Sequence, residues 1–135
     1  MPGARLEKLT AQECWNRLGH HGIGRIALPG GEGTLVLPVN YVVEGGGIVY
    51  STARSGAAAA DPGQDITFEA DHTGEHRADG WSVLAFGSAE HVTGERAVRR
   101  YARRPGAQPR AGGIRDLWIR VVPARLTGRA IRTAG

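Results

Sequence analysis

The chain holds one cysteine, one methionine and one lysine in 135 residues, and each scarcity excludes something. With Cys14 alone, no intramolecular disulfide can form, so the fold must rest on a packed core. A reducing, cytoplasmic home is the expectation. No apolar run approaches the ~18 residues that a membrane-spanning helix requires. The first residues, MPGARLEKLTAQECW, lack the apolar segment of a secretory leader. Lys8 is the sole lysine and every other base is arginine, a bias that a GC-rich coding sequence produces. The net charge of +4 and pI near 10.0 raise the question of a nucleic-acid partner. A recognition helix or an aromatic stacking platform would be needed to support one, and the sequence offers neither.

What is abundant is glycine, 21 residues without a triplet period. The glycines fall between short apolar runs, where turns of an all-β protein need them. The length suits one domain with a sizeable core. Residues 1–9 are expected as an N-terminal tail and 10–135 as the domain. Thr10 and Glu13 stand at capping-box spacing, which predicts a helix over 10–18 with Cys14, Trp15 and Leu18 on its apolar stripe. Strands are expected at 23–28, 34–43 and 48–52, joined by glycine-rich turns. Pro38 marks a bulge or an edge, because it cannot donate to a ladder.

Residues 55–61 have helix propensity enough for one or two turns. Alternation predicts a strand at 65–71, a polar loop at 72–80, and a long strand at 81–92 bent at Gly87. An arginine-rich helix at 95–104 and a linker at 105–113 precede two closing strands, 117–122 and 126–131, separated by Pro123. The sum is mainly β: a six-stranded split β-barrel with two or three short helices.

The ordered set Glu13-Cys14-Trp15, Gly24-Arg25-Ile26-Ala27, Pro38-Val39-Asn40-Tyr41, Ile48-Val49-Tyr50-Ser51-Thr52, Phe68-Glu69-Ala70-Asp71, Gly80-Trp81-Ser82-Val83 and Thr127-Gly128-Arg129 resembles the small pyridoxamine 5'-phosphate oxidase-like proteins. The resemblance covers nearly the whole chain. It implies a split-barrel homodimer with FMN in clefts at the interface, and hence an oxidoreductase type of protein acting on a small molecule. Carried over by position, the cofactor wall would comprise Pro38, Asn40 and Tyr41. Ser51 and Thr52 would lie near the phosphate, Trp81 and Ser82 along the ring, and Arg120 on the closing strand. Related proteins commonly carry arginine where Ser51 stands and a lysine a few residues later. Here Ser55-Gly56-Ala57-Ala58 has no lysine, and Arg54 is the only base that could substitute. A non-catalytic binder or sensor of a flavin, deazaflavin or haem is the alternative.

Other candidates have plainer readings. His20 and His21 could ligate a metal or haem, although adjacent histidines at a helix exit more often face water. His72 and His76 have a metal-like interval but no third clustered ligand. His91 is expected on the solvent face of its strand, and Cys14 as a buried structural residue. Arg96, Arg99, Arg100, Arg103 and Arg104 form a basic cluster, read as a solvated helix face rather than a phosphate-binding one.

Overall fold

The computed structural model describes residues 4–73, 80–107 and 116–133. Seven strands and two helices follow one another as β1 (Ala4–Leu9), α1 (Ala11–Leu18), β2 (His21–Gly30), β3 (Gly33–Glu44), β4 (Gly47–Thr52), β5 (Asp65–His72), β6 (Trp81–His91), α2 (Glu95–Ala102) and β7 (Leu117–Thr133). All pairings are antiparallel, in the order β1-β7-β4-β3-β2-β5-β6, and β6 returns to β7. Six strands therefore close a barrel, and β1 is added beside the second half of β7. The expected mainly-β barrel is what forms.

The barrel is split between β3 and β4, which pair only over Val42–Glu44 and Gly47–Val49. Beyond Val49, β4 follows β7 instead, so the first part of β3, with Pro38, has a ladder partner only in β2. That is the edge position a proline tolerates. Alternate residues of each strand turn inward. Ile26, Tyr50, Phe68, Val83, Ile119 and Val121 meet at the centre with at most 1% exposure each.

Helix α1 closes one end of the barrel. Its capping box is complete: the Glu13 amide donates to Thr10 Oγ1 at 3.1 Å, and the Thr10 amide donates to Glu13 Oε1 at 3.0 Å. Cys14 and Leu18 point into the core. Burial, then the nearby Glu13 charge, raises the Cys14 thiol pKa, so it stays protonated and inert as a structural cysteine would.

Four sequence expectations need correction. Residues 4–9, assigned to a tail, form β1, whose whole length pairs with β7 from Leu9↔Gly128 outward. An edge strand against an existing sheet needs backbone hydrogen bonds more than an alternating apolar pattern, and Arg5-Leu6-Glu7-Lys8 supplies little pattern. Residues 55–61 are turns rather than helix. A Gly56 in a segment bounded by Pro62-Gly63 offsets the alanine propensity, and the Tyr50 hydroxyl donates to the Ala58 carbonyl at 2.9 Å. Pro123 does not divide the last strand. The register steps from Phe86↔Arg125 to Gly87↔Pro123, leaving Ala124 as an extra residue, and this bulge lets β7 run on through the proline. Gly87 is required there, because a Cβ would collide with the Val122 carbonyl. Finally, His91 is half-buried and bonds the Ala60 carbonyl through Nε2 at 2.7 Å rather than facing solvent. His76 and most of the expected 105–113 linker lie outside the described residues.

Candidate functional site

The strands have two outer faces with different fates. Over β4 and the first half of β7, α2 covers the outside: Tyr101 and Val98 pack on Val42, Val49 and Trp118. The Tyr101 and Trp118 rings stack with centroids 6.3 Å apart. The arginines of α2 serve this docking. Arg100 pairs with Glu44 at 3.1 Å, and Arg104 bonds the Val43 carbonyl at 2.8 Å, the His20 carbonyl at 3.2 Å and Glu44 at 3.4 Å. Arg99 pairs with Glu95 one turn away, while Arg96 and Arg103 are exposed without a described partner.

The other outer face, on β1, the second half of β7, β6, β5, β2 and the start of β3, has nothing described above it. Its residues follow from register. Thr127, Leu84, Glu69, Arg25 and Pro38 form one row across five strands, and Arg125, Phe86, Thr67, Ala27 and Val36 form the next. Val36 is 60% exposed and Ile23, opposite Asn40, is 47% exposed. An apolar strip on the outside of a sheet is the informative observation, because an outer face left to solvent alternates to polar.

Three adjoining depressions mark this face. The largest, about 650 Å³, lies over Ala27, Thr34, Thr67, Phe86 and Ala124. One of about 300 Å³ lies over Arg25, Val36, Glu69 and Leu84. A third, about 500 Å³, is bounded by Lys8, Ser82, Leu84, Arg125, Thr127 and Arg129. In the middle, Arg25 donates to Glu69 Oε1 at 2.9 Å and reaches Asp71 Oδ2 at 3.5 Å. Burial raises the Glu69 carboxyl pKa, and its hydrogen bond and repulsion with Asp71 add to the rise, with Arg25 pulling the other way. Glu69 therefore retains a proton more readily than an isolated carboxyl does.

Of the nine residues singled out from sequence, the structure brings Pro38, Asn40 and Ser82 onto this bare face and scatters the rest. Tyr41 points inward, 3% exposed, and donates its hydroxyl proton to the Leu18 carbonyl at 2.8 Å. Thr52 is buried and Ser51 is half-buried opposite Trp118 under the α2 side. Arg54 lies beside Asp116: its amide donates to Asp116 Oδ1 at 2.9 Å and its guanidinium lies 3.6 Å from Oδ2. Trp81 is half-buried against the core and stacks on His72 with centroids 6.3 Å apart. Arg120 spans the β3–β4 turn, donating to the Gly45 carbonyl at 2.7 Å, and contacts the Tyr101 hydroxyl at 3.4 Å. Ser51 pairs with Trp118 and Trp81 with Ala130, near opposite ends of β7, roughly 40 Å along the strand path at about 3.3 Å per residue.

The residues that sequence reasoning missed are Lys8, Leu84, Phe86, Arg125 and Arg129. For Arg125 and Arg129 the signal was the alternation in Arg125-Leu126-Thr127-Gly128-Arg129-Ala130, where every second residue is polar and outward. His20 and His21 are both exposed. Among the described residues, no three His, Cys, Asp or Glu side chains gather as a metal site, and no helix is long and apolar enough to cross a membrane.

Comparison with known proteins places this architecture. The family model for pyridoxamine 5'-phosphate oxidase matches residues 10–130. The chain belongs to that family. An FAD-binding protein of Mycobacterium smegmatis shares 30% identity with it, at a TM-score of 0.73 over 93% of this chain and 97% of that one. A Corynebacterium glutamicum protein, provisionally described as a pyridoxamine 5'-phosphate oxidase, is 26% identical with a TM-score of 0.78, over 96% of this chain and all (100%) of the other. An uncharacterised Mycobacterium tuberculosis protein is 27% identical over 127 residues, covering 90% of this chain and 82% of its own. The β1 strand, with Lys8, lies outside the span that defines the family match.

Proposed function

We propose that this member of the pyridoxamine 5'-phosphate oxidase family is a flavin-binding protein of oxidoreductase type, working in the cytoplasm as a homodimer. In this reading two copies meet through their bare faces and hold one flavin, FMN or FAD, at each end of the contact. The observation that carries it is the apolar strip with polar edges on an otherwise solvent-facing sheet, in a chain 30% identical to an FAD-binding protein.

The residues present fit a flat heterocycle. Ile23, Val36, Pro38 and Leu84 provide apolar surface, while Asn40 and Ser82 provide amide and hydroxyl edges, the composition such sites require. A bound flavin would supply the redox chemistry with a small-molecule substrate. The chain's own part would be to orient the ring, exclude water between two copies, and keep a proton available on Glu69.

A second reading, a binder or sensor without turnover, is favoured by the Ser51–Ala58 segment. Its single base, Arg54, is engaged by Asp116, so the ligand would be held without the phosphate clamp usual in related proteins.

The test is the absorption spectrum of the purified protein, then titration with FMN, FAD and riboflavin, with mass measured by light scattering. Flavin bands, or saturable flavin binding by a dimer, uphold the proposal. Oxidation of a reduced nicotinamide by the loaded protein separates the enzyme from the binder. A colourless monomer indifferent to all three flavins refutes both.

A further inference from the structure

Lys8 and Arg129 stand directly opposite each other on neighbouring antiparallel strands, and Ser82 faces Arg129 from the other side. Directly opposed residues of such a pair have Cβ atoms about 4.5–5.5 Å apart, and like charges there repel. Neither cation has a carboxylate partner among the described residues. Arg125, two residues from Thr127 on the same face, lies with its guanidinium carbon 4.7 Å above the Phe86 ring. A stacked guanidinium keeps its in-plane N–H donors free at the edge. The three cations and the hydroxyls of Ser82 and Thr127 bound one groove of about 500 Å³ with no acid in its lining. Asp71, opposite Ser82 on this face, is already drawn to Arg25 at 3.5 Å.

We infer that this groove is a phosphate-binding site, built for the phosphate or diphosphate end of an organic ligand whose apolar body lies along Leu84 and Phe86. Cations placed face to face cost stability in the empty fold, and a multiply charged anion between them removes that cost. Ser82 and Thr127 line the same space, and a phosphoryl group accepts from hydroxyls and guanidinium together. The site also answers the lack of free charge in the Ser51–Ala58 segment: the anionic end is held at the other end of β7, by residues outside the pattern that suggested the flavin. The inference goes beyond the flavin reading and does not depend on it, since any ligand with such an end would serve.

The experiment is calorimetric titration of the full-length protein with inorganic pyrophosphate, alongside its thermal midpoint. Arg129→Gln and the double variant Lys8→Gln/Arg129→Gln are the probes, and Arg96→Gln on α2 is the control. Each lost charged contact should weaken pyrophosphate binding about ten- to a hundredfold, while Arg96→Gln leaves it unchanged. The midpoint without ligand should stay level or rise in the groove variants, because a repulsion is relieved, an outcome a merely structural pair would not give. No pyrophosphate binding by the wild type, equal affinity in the double variant, or equal loss in Arg96→Gln would overturn the assignment. If flavins bind, the double variant should lose the preference for FMN or FAD over riboflavin. A retained preference together with unchanged pyrophosphate affinity removes this site and leaves the flavin reading standing. Pyrophosphate binding that needs Lys8 and Arg129, in a chain indifferent to flavins, keeps this site and removes that reading.

Discussion

Tyr41→Phe separates a core residue from a cofactor residue. The family resemblance places Tyr41 on the flavin wall, whereas its ring stands edge-on to Phe68 with centroids 4.9 Å apart and its hydroxyl donates to the Leu18 carbonyl at 2.8 Å. That carbonyl lies in the last turn of α1, where no intrahelical donor remains. Removing the hydroxyl leaves it buried and unpaired, at a cost of about 1–3 kcal/mol. At this chain length each kcal/mol lowers the thermal midpoint by about 3–5 °C, so a fall of roughly 3–15 °C is expected. Alkaline pH gives an independent readout. Burial raises the Tyr41 pKa from 10.0 to about 12, so between those values the unfolded chain has lost a proton that the native state keeps. Stability therefore falls as pH rises through that window. Tyr41→Phe should flatten part of that fall. The rest belongs to Tyr50, whose phenol burial also pushes up. Urea unfolding at pH 7 and across the alkaline range measures both effects. A variant as stable as wild type at pH 7, yet with flavin affinity reduced tenfold or more, would refute the placement of Tyr41 in the core.

Three further outcomes follow from the packing. Gly128→Ala should destabilise by about 1–3 kcal/mol, because a Cβ there would stand 2.7 Å from Cys14 Sγ and 3.1 Å from Leu9 Cδ1; Cys14→Ala in the same chain should recover part of the loss, read by urea unfolding. Arg104→Ala should cost about 1–3 kcal/mol, since this half-buried guanidinium ties α2 to the Val43 and His20 carbonyls, and hydrogen exchange should rise first in 95–102. Arg54→Ala should change stability by less than about 0.5 kcal/mol and leave the FMN-to-riboflavin affinity ratio as it is, because the side chain is 65% exposed and turned to Asp116; a ratio that collapses would return Arg54 to the site.

The barrel was legible because its signals are local. The Thr10–Glu13 capping box, the glycine turns and the alternation of Ile66, Phe68 and Ala70 each state their own structure. What escaped was whatever a neighbour decides. The strand over 4–9 exists because the second half of β7 offers an open edge, and nothing within Arg5-Leu6-Glu7-Lys8 announces that edge. Pro123 reads as a break until β6 is placed beside it, where Gly87 makes room for a bulge. Residues 55–61 have the composition of a helix and the surroundings of a turn.

The site was less legible, for a reason rooted in sheet parity. Family position can place Tyr41 and Asn40 together because they are adjacent in sequence, but adjacent residues of a strand face opposite sides. Tyr41 goes to the core and Asn40 to the bare face. The same parity makes the missed residues recoverable. Once Leu126, Gly128 and Ala130 are assigned inward, Arg125, Thr127 and Arg129 must point out together, and a strand beside them must bring its own outward residue to meet Arg129. That residue is Lys8, the only lysine in the chain. Two pairs of arginines on the two faces differ in kind. Arg100 and Arg104 are bound to Glu44 and to carbonyls, whereas Arg125 and Arg129 border a groove with no acid in its lining. The second kind borders a groove that can take a ligand, and it is drawn from the bare face, where the apolar strip also lies.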